Sequence, residues 1–249
     1  MIGSLLHGAA GRLFPGKGRT WVQIPQGLGE GLWICADPRF EFHLLGRAYE
    51  PQMQDLLRAH LKPGGCFYDL GAHIGLFSLI AARIVGESGL VVAFEPDHEN
   101  AAVVRASGER NGMPQLRVVE AAVWSASDPL EFVVADARSG RVDGQVARIS
   151  VLPSRRITVP AFSLDDFIFR DKERPPDFLK IDVEAAESEV LRGATELFST
   201  HKPQVLCEVH NAANKNSVEA WLLQRNYSLR WVNGQNPFPV HVFASTRPI

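Results

Sequence analysis

Blocks of apolar residues alternate with polar turns along most of the chain, and their lengths and spacing predict strands and helices in turn. Short apolar runs are typical of buried strands, whereas apolar positions three and four residues apart are typical of helices. The predicted core strands are 66–70, 90–95, 116–119, 178–181, 204–209, 227–232 and 240–244. The predicted helices are 51–60, 76–84, 99–111, 186–197 and 218–225. Strands that alternate with helices favour an α/β fold in which a parallel sheet is wound on both faces.

The last two predicted strands have no room for a helix between them. They are joined through the Asn233-Gly234 turn region, so they must run antiparallel at the edge of the sheet. The sequence therefore predicts a seven-stranded sheet with an antiparallel terminal hairpin.

Two regions do not fit the alternation. Residues 1–48 are rich in glycine, proline and aromatic residues, and we interpret them as a small β-rich N-terminal cap before a main domain at 49–249. Residues 125–169 are too long for a plain connection and follow the third core strand, so we expect a substrate lid over the carboxyl ends of the strands. A surface hairpin without a function is the alternative. After this insertion, Ser163 or Asp165 is expected to cap a helix. The two regions contain strand-like stretches at 21–24, 31–35, 40–45, 130–134, 146–151 and 157–159, and a glycine-rich polar tip at 138–144.

The first core strand runs into a glycine-containing turn that opens a helix. The turn has the pattern Asp69-x-Gly71-x-x-x-Gly75, and the next strand ends in Glu95, 24 residues beyond Gly71. Such a unit holds a nucleoside, because glycines let the backbone approach the ligand and the acid accepts hydrogen bonds from ribose hydroxyls. Dinucleotide sites place pyrophosphate on the helix N-terminus, where the carboxylate of Asp69 would repel it. A carboxylate suits a cationic amino group instead, which indicates S-adenosylmethionine, a cofactor with an ammonium, a sulfonium and a ribose.

With these motifs in place, the chain resembles the FkbM-like family of S-adenosylmethionine-dependent methyltransferases from about residue 46 to residue 244. The resemblance implies a Rossmann-like, seven-stranded class I methyltransferase sheet and O-methylation of a hydroxyl on a natural product or a sugar. The motifs that carry it are Asp69-Leu70-Gly71-Ala72-His73-Ile74-Gly75, Ala93-Phe94-Glu95-Pro96, Ala122-Val123, Ser163-Leu164-Asp165-Asp166, Leu179-Lys180-Ile181-Asp182-Val183-Glu184, Val190-Leu191-Arg192-Gly193-Ala194 and Cys207-Glu208-Val209-His210.

Two positions depart from the family pattern. His73 stands where the family usually has Asn, within the cofactor turn, where it could weaken or reshape binding. Ala185 stands where the family usually has Gly, after the Lys-Ile-Asp-x-Glu motif. We therefore expect a backbone at Ala185 that does not need a positive φ angle.

We expect the cofactor to be held by residues at the ends of the first three core strands and by Asp182. Asp69 would support the methionine ammonium, directly or through water, or would cap the turn. Glu95 would bind the ribose diol. Glu120 would accept a hydrogen bond from the adenine amino group or would be a solvated loop acid. The complete predicted set is Asp69, Gly71, Ala72, His73, Gly75, Glu95, Pro96, Glu120, Ala121 and Asp182.

The candidate catalytic residues are Asp182, Glu208 and His210. Period-two alternation puts Glu208 and His210 on one side of their strand, and Asp182 joins them if strand 178–181 is its neighbour. A hydroxyl nucleophile must lose its proton, and a histidine oriented by a carboxylate is the usual acceptor. The alternative is that His210 caps backbone groups at the strand end.

With Glu184, these side chains could also hold Mg²⁺ or Mn²⁺, but their spacing is not diagnostic and we predict no metal.

Composition limits the partners and the compartment. The net charge of −2, with Lys and Arg evenly spread, argues against a nucleic-acid partner. No apolar stretch reaches the roughly 20 residues that span a bilayer. Cys35, Cys66 and Cys207 form no Cys-x-x-Cys motif, and the start of the chain lacks a signal-peptide layout, so we expect reduced thiols and a cytoplasmic location. A small-molecule hydroxyl acceptor is the expected partner, and homo-oligomerisation is left open.

Two other functions compete with methyl transfer. A non-catalytic S-adenosylmethionine-binding partner protein is compatible with the departures at His73 and Ala185. A nicotinamide-dependent Rossmann oxidoreductase is disfavoured by Asp69 and by the lack of a three-glycine fingerprint.

Overall fold

The computed structural model describes residues 18–37, 41, 49–135, 154–232 and 237–248. Its strands, numbered along the chain, are β1 (Thr20–Gln23), β2 (Trp33–Ala36), β3 (Cys66–Leu70), β4 (Leu90–Phe94), β5 (Leu116–Val119), β6 (Ala122–Val123), β7 (Leu130–Ala135), β8 (Ser154–Val159), β9 (Ala161–Phe162), β10 (Phe178–Ile181), β11 (Gln204–Val209), β12 (Ser228–Trp231) and β13 (Val240–Ser245). Its helices are α1 (Pro51–His60), α2 (Leu76–Val85), α3 (His98–Arg110), α4 (Glu187–Arg192), α5 (Thr195–Thr200) and α6 (Ala212–Leu223), and a π-helical turn spans Asp166–Arg170. Within these ranges, no helix combines the length and the apolar character needed to cross a bilayer.

Seven of these strands form one mixed sheet in the order β12-β13-β11-β10-β3-β4-β5. The five strands from β11 to β5 run parallel, whereas β13 is antiparallel to both β11 and β12. The predicted Rossmann-like sheet with an antiparallel terminal hairpin is confirmed. The chain builds one half of the sheet from β3 outward to β5, and then returns through β10 on the other side of β3. Because ligands of such sheets bind at the carboxyl ends of the strands beside this reversal, the site is expected where β3 and β10 end.

The two central strands are buried on both faces, which explains why their sequences are nearly continuous apolar runs. Each strand carries one charged residue, Asp69 in β3 and Lys180 in β10. These two residues are direct partners in the parallel register. A buried charge is costly unless it is paired, and the register brings the two opposite charges together.

One predicted helix, 186–197, is wrong as a single element. The chain forms two short helices instead, because α4 ends at Arg192 and α5 begins at Thr195. A Cβ atom at Gly193 would lie 2.2 Å from the carbonyl oxygen of Trp124. The backbone between the two helices is therefore pressed against the segment that follows β6, and this contact separates them.

The last predicted helix, 218–225, begins six residues earlier than expected. Asn211 is extended, and its side chain accepts a hydrogen bond from the backbone N–H of Asn214 at 2.9 Å. This N-cap starts α6 at Ala212. The polar first turns carry no apolar period, so the hydrophobic pattern alone did not reveal them.

The N-terminal hairpin of β1 and β2 packs against the side of the sheet that carries α1 and α2. Ile34 is fully buried in the same apolar cluster as Leu57 of α1 and Leu79 of α2. The guanidinium of Arg110 lies over the rings of Trp21 and Trp33, at 4.7 and 4.3 Å from their centroids. The hairpin and the sheet thus share one core. The predicted strand 40–45 lies outside the described residues except for position 41.

The insertion after β5 contributes a hairpin of its own. β7 and β8 pair antiparallel over six residues each, and β6 pairs with β9 in parallel. Ser163 accepts a hydrogen bond from the backbone N–H of Asp166 at 3.1 Å and so caps the π-helical turn. The glycine-rich tip 138–144 and the predicted strand 146–151 lie outside the described residues, and the role of the insertion as a lid stays a prediction.

Candidate active site

The cofactor turn after β3 is locked onto the loop after β10. Gly71 has a φ of +79°, and its N–H donates to the carbonyl oxygen of Phe94 at 3.0 Å. A Cβ atom at Gly71 would lie 1.9 Å from the carbonyl oxygen of Asp182. The backbone of the loop after β10 therefore leaves no room for a side chain at position 71. The predicted cofactor turn and the loop that carries Asp182 are in contact at this point.

Glu95 follows β4 and faces the same turn. It is buried, and its two carboxylate oxygens accept backbone hydrogen bonds from His73 (2.7 Å) and Asp97 (2.9 Å). Burial raises the pKa of Glu95 to about 8, against the effect of these two hydrogen bonds, which favour the charged form. The carboxylate is thus held rigidly at the point where the turn begins α2.

His73 adopts a left-handed conformation in this turn, with a φ of +52°. Its Nε2 lies 3.9 Å from a carboxylate oxygen of Glu41. Glu41 pairs with Arg19 at 3.1 Å, and Arg19 also donates to Asn100 at 2.5 Å. The imidazole that replaces the usual Asn thus stands beside a charged network that joins the N-terminal segment to α3.

Asp69 lies beneath the turn and is 1% exposed. The hydroxyl of Ser78 donates to its Oδ2 at 2.6 Å, and Nζ of Lys180 lies 3.4 Å from its Oδ1. Lys180 also donates to Asp182 at 3.1 Å. Burial opposes the charge on Lys180, but the carboxylates of Asp182 and Asp69 outweigh it and raise the pKa of the amine. The buried lysine thus bridges the carboxylates of the two neighbouring strands.

His210 follows β11 and stands among carboxylates from several elements. Its Nδ1 is 2.7 Å from Oε1 of Glu187, the first residue of α4. Its Nε2 lies 3.4 Å from Glu184, 3.7 Å from Glu208 and 3.8 Å from Asp182. The structure therefore brings the predicted residues Asp182, Glu208 and His210 together, as the strand order β10-β11 requires.

This surrounding charge changes the titration of the imidazole. Burial lowers the pKa of His210, but the hydrogen bond to Glu187 and the charges of Glu184 and Asp182 overcome this and raise it to about 9. His210 is therefore mainly an imidazolium at neutral pH, and the neutral form that can accept a proton becomes the larger fraction only above about pH 9.

Sequence reasoning missed Glu187. It is fully buried, and an acid in the first turn of a helix is normally interpreted as a solvated residue that complements the helix dipole. The expectation for the preceding loop was also wrong, because Ala185 has a φ of +75° and Glu184 a φ of +49°. The position where the family usually has Gly does need a left-handed backbone, and here an alanine adopts it.

Glu208 is shared between two histidines. His241 of β13 lies 3.2 Å from one of its oxygens, and Glu50 lies 3.7 Å from the same imidazole nitrogen. The donor atoms of Glu50, Glu208 and His241 lie within 4.8 Å of one another, as do those of Asp182, Glu208 and His210. In each triad a protonated histidine would offset the negative charge of the carboxylates, and the absence of a metal stays a prediction.

The remaining predicted cofactor residues lie around the ends of β3, β4 and β5. Glu120 is held by His98 at 2.7 Å and by Arg105 at 3.0 Å. The hydrogen bond from His98 lowers the pKa of Glu120. Ala72 and Ala121 are buried and Pro96 is half-buried.

Comparison with known proteins agrees with the fold. The sequence model of the methyltransferase FkbM domain matches residues 69–229, which is more than half of the 249 residues. The chain therefore belongs to the FkbM methyltransferase family. The class is that of S-adenosylmethionine-dependent methyltransferases, and S-adenosylmethionine is the cofactor. A comparison with curated proteins found no match.

Several solved structures resemble the chain at low sequence identity. A methyltransferase FkbM from Methylobacillus flagellatus KT has 15% identity and a TM-score of 0.49, with coverage of 83% of this chain and 58% of that one. This chain therefore spans less than two thirds of that protein. A putative rRNA-methylase from Clostridium thermocellum has 13% identity, coverage of 78% and 92%, and a TM-score of 0.50. A precorrin-6y C5,15-methyltransferase from Geobacter metallireducens GS-15 has 12% identity, coverage of 79% and 87%, and a TM-score of 0.50. The last two likenesses show a shared fold.

Proposed function

We propose that the protein transfers the methyl group of S-adenosylmethionine to a hydroxyl oxygen of a small molecule, a natural product or a sugar. The observation that carries this proposal is His210, which stands at the end of β11 with Nδ1 on the buried Glu187. The site lies two strands from the cofactor turn in the sheet order. A hydroxyl acceptor must lose its proton as it is methylated, and an oriented histidine is suited to take it.

The residues around the turn fit the cofactor. Glu95 offers a buried, rigidly held carboxylate to the ribose hydroxyls. Oδ1 of Asp69 is buried and makes no hydrogen bond with any described residue, although Lys180 is 3.4 Å away. A buried carboxylate oxygen with unused acceptor capacity suits the methionine ammonium, reached directly or through water. Glu120 and Ala121 would lie beside the adenine, with Ala72, His73, Gly75 and Pro96 lining the turn.

The bound cofactor supplies an electrophilic methyl group. The chain's own part is to hold the acceptor hydroxyl in line with that group and to take its proton. Asp182 lies between the cofactor turn and His210. Its carbonyl oxygen is packed on Gly71, and its carboxylate lies 3.8 Å from His210. Orientation of this kind accounts for most of the rate in a bimolecular transfer. Proton removal by His210 would add about 10²- to 10⁴-fold.

The wider setting supports a small-molecule acceptor. The net charge of −2 argues against a nucleic-acid partner. All three cysteines are unbridged, and Cys66 and Cys207 are buried, as expected for a reducing compartment such as the cytoplasm.

Cofactor binding is tested by calorimetry. We expect micromolar affinity for S-adenosylmethionine, about −8 kcal/mol, and no heat with NAD. Glu95→Ala should weaken binding roughly 10- to 150-fold, because it removes the carboxyl group whose oxygens would accept hydrogen bonds from two ribose hydroxyls. The matched control is Glu99→Ala, which removes an exposed acid in the first turn of α3. An unchanged dissociation constant in Glu95→Ala would place the ribose elsewhere.

Methyl transfer is tested with ¹³C-methyl S-adenosylmethionine and extracts of the producing cells. We expect formation of S-adenosylhomocysteine and a product whose methyl carbon has the chemical shift of an O-methyl group. An N-methyl shift would overturn the choice of oxygen. Binding without turnover across such extracts would support the non-catalytic alternative. Retention of activity in EDTA is expected, and its loss with recovery in Mg²⁺ would show a required metal.

A further inference from the structure

The carboxylate of Glu187 is fully buried, and both of its oxygens accept hydrogen bonds. Its Oε1 accepts hydrogen bonds from Nδ1 of His210 at 2.7 Å and from the backbone N–H of Ala185 at 3.0 Å. Its Oε2 accepts from Nδ2 of Asn214 in α6 at 2.6 Å. These bonds to the loop after β10, to α6 and to the end of β11 fix the carboxylate in one position.

The surrounding backbone is arranged to support this position. Asn214 also donates to the carbonyl oxygen of Ala185 at 2.7 Å and accepts from the hydroxyl of Ser188 at 2.9 Å. Ala185 and Glu184 are consecutive residues in the left-handed region. Such conformations in non-glycine residues are unfavourable and persist only where neighbouring contacts hold them. The strain lies in the loop that presents its N–H to Glu187, which indicates a function for that carboxylate.

We propose that Glu187 is the positioning residue of this site: it holds the N–H of Nδ1 of His210, so that Nε2 is left to take the proton of the acceptor. The inference rests on the proposed function, in which His210 accepts that proton. With Nδ1 protonated toward Glu187, the neutral imidazole has its lone pair on Nε2, on the side of Asp182.

The same carboxylate influences the pH at which this proton can be taken. The charged groups that face His210 are Glu187 from α4, Glu184 and Asp182 from the loop after β10, and Glu208 from β11. Lys180 and His241 each pair with one of these carboxylates. Among these groups Glu187 supplies both the shortest contact and a direct hydrogen bond, and the imidazole pKa is raised to about 9. Glu187 thus orients the base and at the same time shifts its working range toward alkaline pH.

The decisive variant is Glu187→Gln, which keeps an acceptor oxygen for Nδ1 and removes the charge. The acidic limb of the pH dependence of kcat reports the pKa of His210, which is about 9 in the parent protein. We expect this pKa to fall toward the ordinary histidine value of 6.5, by at least about one unit. The fraction of maximal activity at pH 7 should rise, and the affinity for S-adenosylmethionine should be unchanged. Glu196→Gln, an exposed acid at the start of α5, is the matched control and should alter neither quantity.

A second variant separates orientation from charge. Glu187→Leu removes the acceptor as well, and we expect the plateau kcat to fall about 10- to 100-fold, which is less than the 10²- to 10⁴-fold loss expected when the base itself is removed. If either variant fails to fold, Asn214→Ala keeps the Glu187 carboxylate and removes the partner of its Oε2 together with the bonds to Ala185 and Ser188, and the plateau should then fall by a smaller factor.

Titration of ¹⁵N-histidine signals gives a readout that does not depend on turnover, with the His210 signal assigned by its loss in His210→Gln. An unchanged His210 pKa and an unchanged kcat profile in Glu187→Gln would overturn the inference. If His210→Ala itself keeps normal turnover and an unchanged profile, the proposed base is wrong, and the NMR shift alone then shows whether Glu187 still governs the imidazole.

Discussion

At the scale of single residues, the site depends on backbone conformations that side chains rarely adopt. Positive φ angles occur at His73, in the cofactor turn, and at Glu184 and Ala185, in the loop after β10. Gly71 shares this conformation, but its essential property is the absence of a Cβ atom, because the carbonyl oxygen of Asp182 occupies that space. The contact between the two halves of the site therefore requires glycine at position 71.

Two glycines with nearly the same φ make this claim measurable. Gly71 has a φ of +79° and Gly31 a φ of +80°, but a Cβ atom at Gly31 would meet nothing within 4 Å. Gly31→Ala should cost about 1–2 kcal/mol of unfolding free energy from conformation alone. Gly71→Ala should cost clearly more, because Asp182 must also move, and S-adenosylmethionine binding should weaken. Equal losses in urea unfolding would show that the contact with Asp182 is unimportant.

At the scale of secondary-structure elements, one carboxylate links the insertion to the helices beyond β10. Both oxygens of Asp165 accept backbone hydrogen bonds from α5, from Glu196 and Leu197, at 2.9 Å each. Ser163 or Asp165 was expected to cap a helix directly after the insertion. Ser163 does so, whereas Asp165 caps a helix about 30 residues further along the chain. The break between α4 and α5 therefore creates a helix N-terminus that the insertion segment satisfies.

Removal of this cap should destabilise the protein without changing the sheet. Asp165→Ala leaves two N–H groups of α5 without their acceptor, and we expect a loss of about 1–2 kcal/mol in unfolding free energy. The control is Asp128→Ala, an exposed acid in the same insertion, which should stay within about 0.5 kcal/mol of the parent. A loss in Asp165→Ala no larger than the control would mean that water replaces the cap at no cost.

At the scale of the whole molecule, the N-terminal hairpin is part of the core of the sheet. The described part of the predicted cap, residues 18–37 and 41, places Ile34 and Leu32 in the same buried cluster as α1 and α2. Asn111 also binds both backbone groups of Trp33, at 2.8 and 2.6 Å. The boundary at residue 48 stays a prediction, but these contacts imply that hairpin and sheet unfold together.

This coupling predicts a single unfolding transition. Ile34→Ala should lower the unfolding free energy by about 2–4 kcal/mol and should shift the fluorescence and circular-dichroism transitions equally. Leu223→Ala serves as the control, because Leu223 is 52% exposed. Early loss of the hairpin signal, with the sheet transition unmoved, would instead show that the cap is an independent unit.

Much of the sheet could be predicted because its pattern is local. The bounds of β3, β5, β10 and β11 agree with their apolar runs. The runs are nearly continuous in β3 and β10, because strands buried on both faces have few polar positions. The cofactor turn could be predicted for a similar reason, because a strand, a turn containing Gly71 and Gly75, and the acid Glu95 follow one another within one βαβ unit. The prediction for α4 and α5 failed because the break depends on a contact with Trp124, some 70 residues away.

The sequence by itself determined the fold class and the cofactor, because these follow from local periodicity and from turn chemistry. It placed Asp182 with Glu208 and His210 only on the condition that their strands are neighbours, which the sheet order then met. Only the tertiary structure decided which group binds Nδ1 of His210, why Gly71 must be glycine, and that Ala185 adopts a left-handed backbone. Each of these depends on a short distance between segments that are remote in sequence or on the backbone that such contacts hold. Hydrophobic patterning carries no information about such distances, since it records which residues are buried and not which buried residues meet.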